Sequence, residues 1–173
     1  IGLGHTRWAT HGRPVEHNAH PHMNERVAVV HNGIIENFQE LRDGLAERGH
    51  DLRSETDTEA LAHLVEEAYA GDLADAVRHT LAQAEGAYAV AVMHRGEPGR
   101  LVGARQDVPL VVGLGAGEMF LASDVAAVLA HTDRVIFLEE GDVADLHADL
   151  RHHAGHRCAR PARIAAAVGG GVR

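Results

Sequence analysis

Four residues in three polar stretches of the chain can bind a substrate and stabilise an oxyanion. Arg7 carries a planar guanidinium, which binds a carboxylate through two parallel hydrogen bonds. Asp57 offers a carboxylate that can hold a substrate ammonium group. Asn32 and Gly33 bring together a side-chain amide and an unhindered backbone N–H, and such donors suit a developing oxyanion. These residue types predict a substrate pocket with an oxyanion hole.

Each of these residues also has a structural interpretation, which the sequence leaves open. Arg7 can form a surface salt bridge beside a core tryptophan, Trp8. Asp57 falls in the first turn of a predicted helix, where the helix dipole stabilises a carboxylate. The Asn32-Gly33 pair can form a hairpin turn, because both residue types tolerate a positive φ.

The elements that flank Asn32 and Gly33 favour a strand-to-helix turn over a hairpin. Residues 26–30 include a short β-branched run, which predicts a strand. After the pair, apolar residues recur at helical spacing, at Ile34, Phe38, Leu41 and Leu45. We therefore expect a strand that turns at 32–33 directly into a helix over 34–48. Both donors would then lie near the N-terminus of that helix.

The rest of the chain contains predicted helices and short strands, which indicates an α+β fold. A capping box that starts at Thr56 begins one helix, and another is expected over 73–84. Ser123 is expected to cap a short helix over 124–130. Short strands are predicted within 2–10, 50–54, 87–93, 101–105, 109–113, 119–123, 135–138 and 143–146. Close turns between strands imply antiparallel sheets, and the paired helices must cover a face.

Composition narrows the chemistry that the chain can perform. All 16 basic residues are arginine, which excludes a Schiff-base lysine and a P-loop lysine. The formal net charge of −9 argues against nucleic-acid binding. Neither Ser54 nor Ser123 lies in a G-x-S-x-G elbow, and the single cysteine, Cys158, lies near the end of the sequence. The sequence therefore predicts a substrate pocket without an attacking group, and we expect no cofactor.

Two histidine clusters and one glycine-rich stretch invite interpretations that their patterns do not support. Zinc needs three or four converging ligands, and Pro21 interrupts the cluster at 17–22, so we expect no metal. The cluster at 152–156 lies in an apparent tail. Residues 113–117 resemble a dinucleotide-binding loop, but no helix pattern follows them, so we expect a hairpin turn.

Seven motifs in chain order resemble one known family. They are HTRWATHG (5–12), NAHPH (18–22), VVHNGIIEN (29–37), SETDTE (54–59), GAYAV (86–90), PLVVGLG (109–115) and FLEEGDVA (137–144). Over residues 1–147 the chain resembles the glutaminase domain of the glucosamine-6-phosphate synthases, which are glutamine–fructose-6-phosphate aminotransferases (isomerising). Such a domain is a class II glutamine amidotransferase.

This resemblance implies an N-terminal-nucleophile hydrolase fold, in which two antiparallel sheets are sandwiched between helical layers. It implies hydrolysis of L-glutamine through a γ-glutamyl thioester, with the ammonia delivered to a second domain that makes glucosamine 6-phosphate. The nucleophile of the family is a cysteine at the mature N-terminus, and the α-amino group of that cysteine is the general base.

The resemblance also implies roles for seven residues of this chain. Asn32 and Gly33 would form the oxyanion hole and thus be catalytic. Arg7 would bind the α-carboxylate of glutamine, and Asp57 would hold its α-ammonium group. The remaining substrate-binding residues would belong to a loop that closes over glutamine: Trp8, Thr10 and His11.

We expect two segments, a partial glutamine amidotransferase domain over 1–147 and a linker or disordered tail over 148–173. The Arg, Ala, Gly and His of the second segment show no period. Since the sequence begins at Ile1, we expect a fragment without the N-terminal cysteine, inactive by itself. The domain that accepts fructose 6-phosphate would also be missing. The alternative is a catalytically dead glutamine-binding or interaction domain.

The expected partner is L-glutamine, and a homodimer of the full-length enzyme stays open. No apolar run is long enough to span a membrane, so we expect no membrane interaction. A single cysteine suits a reducing compartment, and we therefore expect a cytoplasmic protein.

Overall fold

Two five-stranded β-sheets and three α-helices make up the described part of the chain. The computed structural model describes residues 1–7, 11–148 and 163–169. The helices are α1 (Phe38–Glu47), α2 (Asp57–Ala68) and α3 (Leu73–Leu81). The strands are β1 (Gly2–Thr6), β2 (His22–Met23), β3 (Val27–Ile35), β4 (Gly86–His94), β5 (Arg100–Gln106), β6 (Val111–Leu114), β7 (Glu118–Ala122), β8 (Val135–Phe137), β9 (Val143–His147) and β10 (Arg163–Gly169). Short 3₁₀ turns lie at Glu16–Asn18 and Val125–Ala127.

The two sheets differ in the direction of their strands. The first sheet has the order β2-β3-β4-β5-β9, and every neighbouring pair in it is antiparallel. Its β3-β4 ladder runs from Val27 opposite His94 to Ile35 opposite Gly86. The second sheet has the order β1-β10-β7-β6-β8. Its β6-β7 and β6-β8 pairs are antiparallel, whereas β10 lies parallel to both β1 and β7.

The inner faces of the two sheets pack together and form a hydrophobic core. Val30 and Leu101 of the first sheet belong to the same buried cluster as Met119 and Leu121 of the second. The neighbouring residue Val29 belongs to a different cluster, on the opposite face of the first sheet. This alternation is the period-two pattern of a strand that is buried on both faces.

The outer face of the first sheet packs against α2 and α3. Val29 shares a buried cluster with Leu61 and Val65, which lie four residues apart on one face of α2, and with Val77 of α3. On the outer face of the second sheet, a smaller cluster around Phe120 packs beside the second 3₁₀ turn. No helix in the described ranges has the length and apolar character needed to cross a bilayer.

The structure confirms the predicted α+β class with two stacked sheets and three of its local elements. The helix predicted to begin at Thr56 is α2, and the helix predicted over 73–84 is α3. Residues 113–117 lead from β6 into the antiparallel β7, so the glycine-rich stretch is the expected hairpin turn. Close antiparallel connections of this kind also join β2 to β3 and β4 to β5.

The Asn-Gly pair is not the strand-to-helix turn that we expected. β3 continues through Asn32 and Gly33 to Ile35, and α1 begins only at Phe38. Gly33 has a φ of +116°, and a Cβ there would lie 2.0 Å from the backbone oxygen of Ala87. Glycine therefore lets β3 bend against β4 without leaving the sheet. The expectation that these donors lie at a helix N-terminus is wrong.

Two further local predictions are wrong for identifiable reasons. Residues 50–54 form no strand, because the backbone N–H groups of Arg53 and Ser54 donate to the Glu59 carboxylate, both at 2.8 Å. The helix expected over 124–130 is only the 3₁₀ turn at Val125–Ala127. Its N-cap is Asp124, which accepts from the backbone N–H of Ala126, and not Ser123.

Part of the expected tail joins the second sheet. Residues 163–169 form β10, which differs from the linker or disordered tail expected over 148–173. The sequence contains a short apolar run there, and β10 gives both β1 and β7 a hydrogen-bonding neighbour. Residues 149–162 and 170–173 of the expected tail lie outside the described residues, and the domain boundary at 147 stays a prediction.

Candidate functional site

A cavity of about 280 Å³ opens where the end of β1, the Asn-Gly segment of β3 and the N-terminus of α2 meet. Two of the seven predicted site residues, Trp8 and Thr10, lie outside the described residues. The other five all line this cavity: Arg7, His11, Asn32, Gly33 and Asp57. The structure thus brings a guanidinium, a carboxylate and a carboxamide from three distant segments to one place.

Arg7 follows β1 and holds the loop that comes after it. Its Nη2 donates to the backbone oxygens of His11 (2.7 Å) and Gly12 (3.0 Å), and its Nη1 donates to that of Arg13 (2.9 Å). Three of its five N–H groups are therefore engaged by the loop backbone. A bound carboxylate would use the remaining N–H groups or displace these backbone oxygens.

The loop after Arg7 is also tied to the segment that precedes α2. Asn18 donates from Nδ2 to Glu55 Oε2 (3.0 Å) and accepts at Oδ1 from the backbone N–H of Glu55 (2.9 Å). The backbone N–H of Arg13 donates to the same carboxylate. The hydrogen bond from Asn18 is the main cause that lowers the pKa of Glu55. This connection fixes the loop that carries His11 beside the cavity.

Asp57 is the first residue of α2, and its carboxylate is buried in the cavity wall. Its Oδ2 accepts a hydrogen bond from the backbone N–H of Ile35 at 3.0 Å. The same oxygen lies 3.8 Å from Nδ1 of both His11 and His31. The helix dipole stabilises a carboxylate at this position. Asp57 thereby joins α2 to the strand that carries Asn32.

The N-terminus of α2 is held by a modified capping box. Thr56 Oγ1 accepts from the backbone N–H of Glu59 at 3.4 Å, as the sequence predicts. The Glu59 carboxylate does not return to Thr56, however, but accepts from the backbone N–H groups of Arg53 and Ser54. Thr56 Oγ1 also lies 2.9 Å from Nε2 of His22. These contacts fix the helix end from which Asp57 faces the cavity.

Asn32 has its carboxamide oxygen on the side of β1. Asn32 Oδ1 lies 2.8 Å from Nε2 of His5, and the same nitrogen lies 3.1 Å from the backbone oxygen of His31. Within the described residues, the amide nitrogen of Asn32 makes no hydrogen bond, and Asn32 lines the cavity. That NH₂ group is therefore available to a ligand.

A continuous chain of hydrogen bonds extends from His5 around the cavity. His5 Nδ1 lies 3.1 Å from His20 Nδ1, and His20 Nε2 lies 2.9 Å from Thr58 Oγ1. Thr58 Oγ1 in turn lies 3.1 Å from His31 Nδ1. The chain connects β1, the loop before β2, α2 and β3 through side chains alone.

Burial keeps the histidines of this hydrogen-bond chain neutral. Burial, with a smaller contribution from the neighbouring imidazoles, lowers the pKa of His20 to about 2. The pKa of His31 falls to about 4, because the effect of burial exceeds the opposing effect of Asp57. Burial also lowers the pKa of His5. At pH 7 these three imidazoles are uncharged and can both donate and accept hydrogen bonds.

Four cavity residues that form this hydrogen-bond chain were not identified from the sequence. Each of them lies in one of the motifs quoted above, but none was assigned a role: His5, His20, His31 and Thr58. The available signal was one histidine or threonine in each of four motifs. In the described ranges, no group of three or more His, Cys, Asp or Glu residues is arranged to hold a metal ion.

The cavity can bind a small molecule that carries one positive and one negative charge. Arg7 supplies a cation and Asp57 a buried carboxylate, while the Asn32 amide supplies a neutral donor. A family model for the glutamine amidotransferase domain matches residues 5–130, which include all of these residues. The chain belongs to this family of glutamine amidotransferase domains.

Relatives within this family narrow the resemblance further. The chain is 60% identical to the glutamine–fructose-6-phosphate aminotransferase (isomerising) of Thermus thermophilus over 148 residues, which cover 84% of this chain and 24% of that protein. It is 55% identical to the enzyme of the same name from Aquifex aeolicus, over 86% of this chain and 25% of that protein. The chain spans about a quarter of the length of these curated relatives.

Solved structures support the fold. The glutamine phosphoribosylpyrophosphate amidotransferase of B. subtilis, complexed with ADP and GMP, matches 83% of this chain and 32% of its own, with a TM-score of 0.67 and 25% identity. A structure described as the allosteric regulatory enzyme of purine biosynthesis matches 78% of this chain with a TM-score of 0.61 and 24% identity. The predicted N-terminal-nucleophile type of fold agrees with the first of these neighbours, an amidotransferase.

Proposed function

We propose that this chain is the glutaminase domain of a glutamine–fructose-6-phosphate aminotransferase (isomerising). It binds L-glutamine in the cavity between β1, β3 and α2. The observation that carries this proposal is the convergence of Arg7, Asp57 and the Asn32 amide on one cavity. The identity of 55–60% to relatives of that name supports the same conclusion.

Glutamine binding uses the two charged side chains of the cavity wall, Arg7 and Asp57. Arg7 holds the α-carboxylate of glutamine, for which a guanidinium is the strongest side-chain partner. Asp57 holds the α-ammonium group, and its burial strengthens that attraction because water screens it less. His11 lies in the loop that the Arg7 guanidinium holds beside the cavity, and with Trp8 and Thr10 it belongs to the closing loop.

The chemical step develops negative charge on the amide oxygen of the glutamine side chain. Asn32 and Gly33 stabilise that oxyanion, and the Asn32 NH₂ makes no hydrogen bond within the described residues that would compete with this role. Attack requires a thiolate and a base, which the resembled family supplies from an N-terminal cysteine and its own α-amino group. Collapse of the tetrahedral intermediate breaks the C–N bond, expels ammonia and leaves a γ-glutamyl thioester, which water then hydrolyses to glutamate and the free thiol. The ammonia serves a second domain that binds fructose 6-phosphate. A cytoplasmic location and a homodimer of the full-length protein complete the proposal.

Asp57→Asn tests the binding step. The loss of one charge-assisted hydrogen bond of roughly 1.5–3 kcal/mol should weaken glutamine binding about 10- to 100-fold. Isothermal titration of glutamine into the purified chain measures this loss. Asp51→Asn is the matched control, because that carboxylate is exposed and its ion pair with Arg53 lies on the surface. It should leave glutamine affinity unchanged.

Glutamate release by the full-length protein that contains this sequence separates the proposal from its alternative. A catalytically dead glutamine-binding domain would bind glutamine and release no glutamate. If Asp57→Asn bound glutamine as tightly as the unaltered chain, Asp57 would be a helix-terminus residue and the proposed binding mode would fail.

A further inference from the structure

A backbone oxygen determines which nitrogen of His5 carries hydrogen. The carbonyl of His31 can only accept, and it lies 3.1 Å from His5 Nε2. Nε2 is therefore the donor. The Asn32 atom that lies 2.8 Å from this donor must be an acceptor, so it is the carboxamide oxygen. The NH₂ group of Asn32 consequently faces away from His5.

The remaining members of the hydrogen-bond chain agree with this assignment at every link. With hydrogen on Nε2, a neutral His5 accepts at Nδ1 from Nδ1–H of His20. His20 then accepts at Nε2 from the hydroxyl of Thr58 at 2.9 Å, a shorter contact than the 3.4 Å from that hydroxyl to Asp57 Oδ1, and the hydroxyl accepts from Nδ1–H of His31. Nε2 of His31, buried without a partner among the described residues, is left as a lone pair and not as an unpaired N–H.

The opposite direction of donation is excluded unless His5 is a cation. A neutral His5 has one hydrogen, and the His31 carbonyl requires it on Nε2. Reversal would place two lone pairs opposite each other at the 3.1 Å contact between His5 and His20. Burial and the nearby Arg7 both lower the pKa of His5, so the cationic form is disfavoured.

We propose that His5 is a positioning residue, which holds the Asn32 carboxamide with its NH₂ group towards the cavity. The His31 carbonyl fixes the tautomer that lets His5 do so, and the side chains of His20, Thr58 and His31 support it. The inference rests on the proposed function, since the oriented NH₂ group matters only where Asn32 stabilises an oxyanion. It adds a residue that acts on the oxyanion through the Asn32 carboxamide.

Imidazole nitrogen resonances test the tautomers without any enzyme assay. In ¹⁵N-labelled chain near neutral pH, long-range ¹H–¹⁵N correlations should show hydrogen on Nε2 of His5 and on Nδ1 of His20 and His31. The side-chain NH₂ resonances of Asn32 should shift in His5→Leu. They should not shift in His17→Leu, because His17 is an exposed histidine in the loop before β2.

Steady-state kinetics of the full-length protein test the consequence. His5→Leu should lower kcat for glutamine hydrolysis roughly 10²-fold, as the loss of one oxyanion donor does, with little change in KM. Asn32→Ala should lose a similar factor. The double variant should be no slower than Asn32→Ala alone, because His5 acts through Asn32. His5→Gln retains an amide donor and should keep most of the activity.

Three results would overturn this proposal. The first is hydrogen on Nδ1 of His5, and the second is a double variant whose loss is the product of the two single losses. The third is a KM effect without a kcat effect in His5→Leu. If the unaltered full-length protein released no glutamate, the proposed function would fail, and the tautomer measurement would still decide the hydrogen-bond chain.

Discussion

The cavity and the ion cluster around Arg100 both contain buried polar groups, but the two regions use their hydrogen-bonding groups differently. Arg100 donates from Nε and Nη2 to Asp145 (2.8 and 2.7 Å) and from Nη1 to Asp72 (3.2 Å) and Glu97. Burial alone would lower the pKa of Arg100, but the hydrogen bonds to these carboxylates raise it. The cluster joins β5 to β9 and to the N-terminus of α3. Its charged groups are hydrogen-bonded to one another.

The cavity leaves several of its groups unoccupied. The Asn32 amide nitrogen has no hydrogen bond among the described residues, and neither has Nδ1 of His11 nor Nε2 of His31. A buried polar group without a partner costs free energy, and in this cavity a bound ligand would supply the missing partners. The comparison distinguishes a cluster that stabilises the fold from a cluster that is completed by a ligand.

Arg100→Leu gives the largest expected effect on stability. It leaves three carboxylates without their cation, and removal of one member of a buried ion cluster costs about 3–5 kcal/mol. Urea denaturation of the purified chain measures the loss. Arg53→Leu, at an exposed ion pair, is the control and should cost less than about 1 kcal/mol. Equal losses in the two variants would remove the distinction between the clusters.

The pH dependence of stability should come from the cavity and not from the Arg100 cluster. The pKa of His31 is about 4 in the folded chain, against an ordinary value of 6.5. Below pH 6.5 the unfolded chain takes up a proton that folded His31 does not accept. The free energy of unfolding therefore decreases as the pH is lowered from about 6.5 to about 4. His31 contributes about 3 kcal/mol to this decrease.

Unfolding measured across this pH range should have a shallower slope in His31→Gln than in the unaltered chain. His17→Gln should leave the slope unchanged. Arg100 and Asp145 stay charged throughout, because their ion pair lowers the pKa of Asp145. Parallel slopes in His31→Gln and the unaltered chain would show that His31 is not buried as a neutral imidazole.

Asp72→Asn should have the smallest effect on stability. This variant separates the helix-capping role of Asp72 from its charge in the Arg100 cluster. Asp72 is the N-cap of α3 and accepts from the backbone N–H of Asp75 at 2.9 Å. Asparagine caps equally well, and Arg100 retains Glu97 and Asp145, so the expected loss is below about 0.5 kcal/mol. Asp72→Ala removes the cap and should cost about 1 kcal/mol. A larger loss in Asp72→Asn would make charge, and not the cap, its main contribution.

Sequence reasoning succeeded where the signal is local and failed where it depends on the neighbouring strand. The apolar face with Leu61 and Val65 and the capping threonine, Thr56, predict α2 correctly, because a helix makes its own backbone hydrogen bonds. The apolar positions at Ile34 and Phe38 suggested one helix, yet Ile34 pairs with Ala87 in the sheet. Pairing with a strand more than fifty residues away leaves no local pattern.

The candidate site divides in the same way. Charged and amide residues with obvious chemistry, such as Arg7, Asp57 and Asn32, could be identified from residue type and motif, and they line one cavity. The histidine chain could not, because its function depends on which nitrogen faces which atom. That information exists only once His5, His20 and the carbonyl of His31 are in contact.

The bend at Gly33 affects how conservation of Gly33 and Asn32 among related domains should be interpreted. Any L-side chain there would collide with the Ala87 carbonyl, so β3 and β4 require glycine whether or not the protein still works as an enzyme. A lineage that abandoned glutamine would keep Gly33 and be free to drift at Asn32, which no backbone contact of this kind restrains. Retention of the glycine therefore reflects ancestry and folding, whereas under the proposed function retention of the asparagine would reflect selection on catalysis.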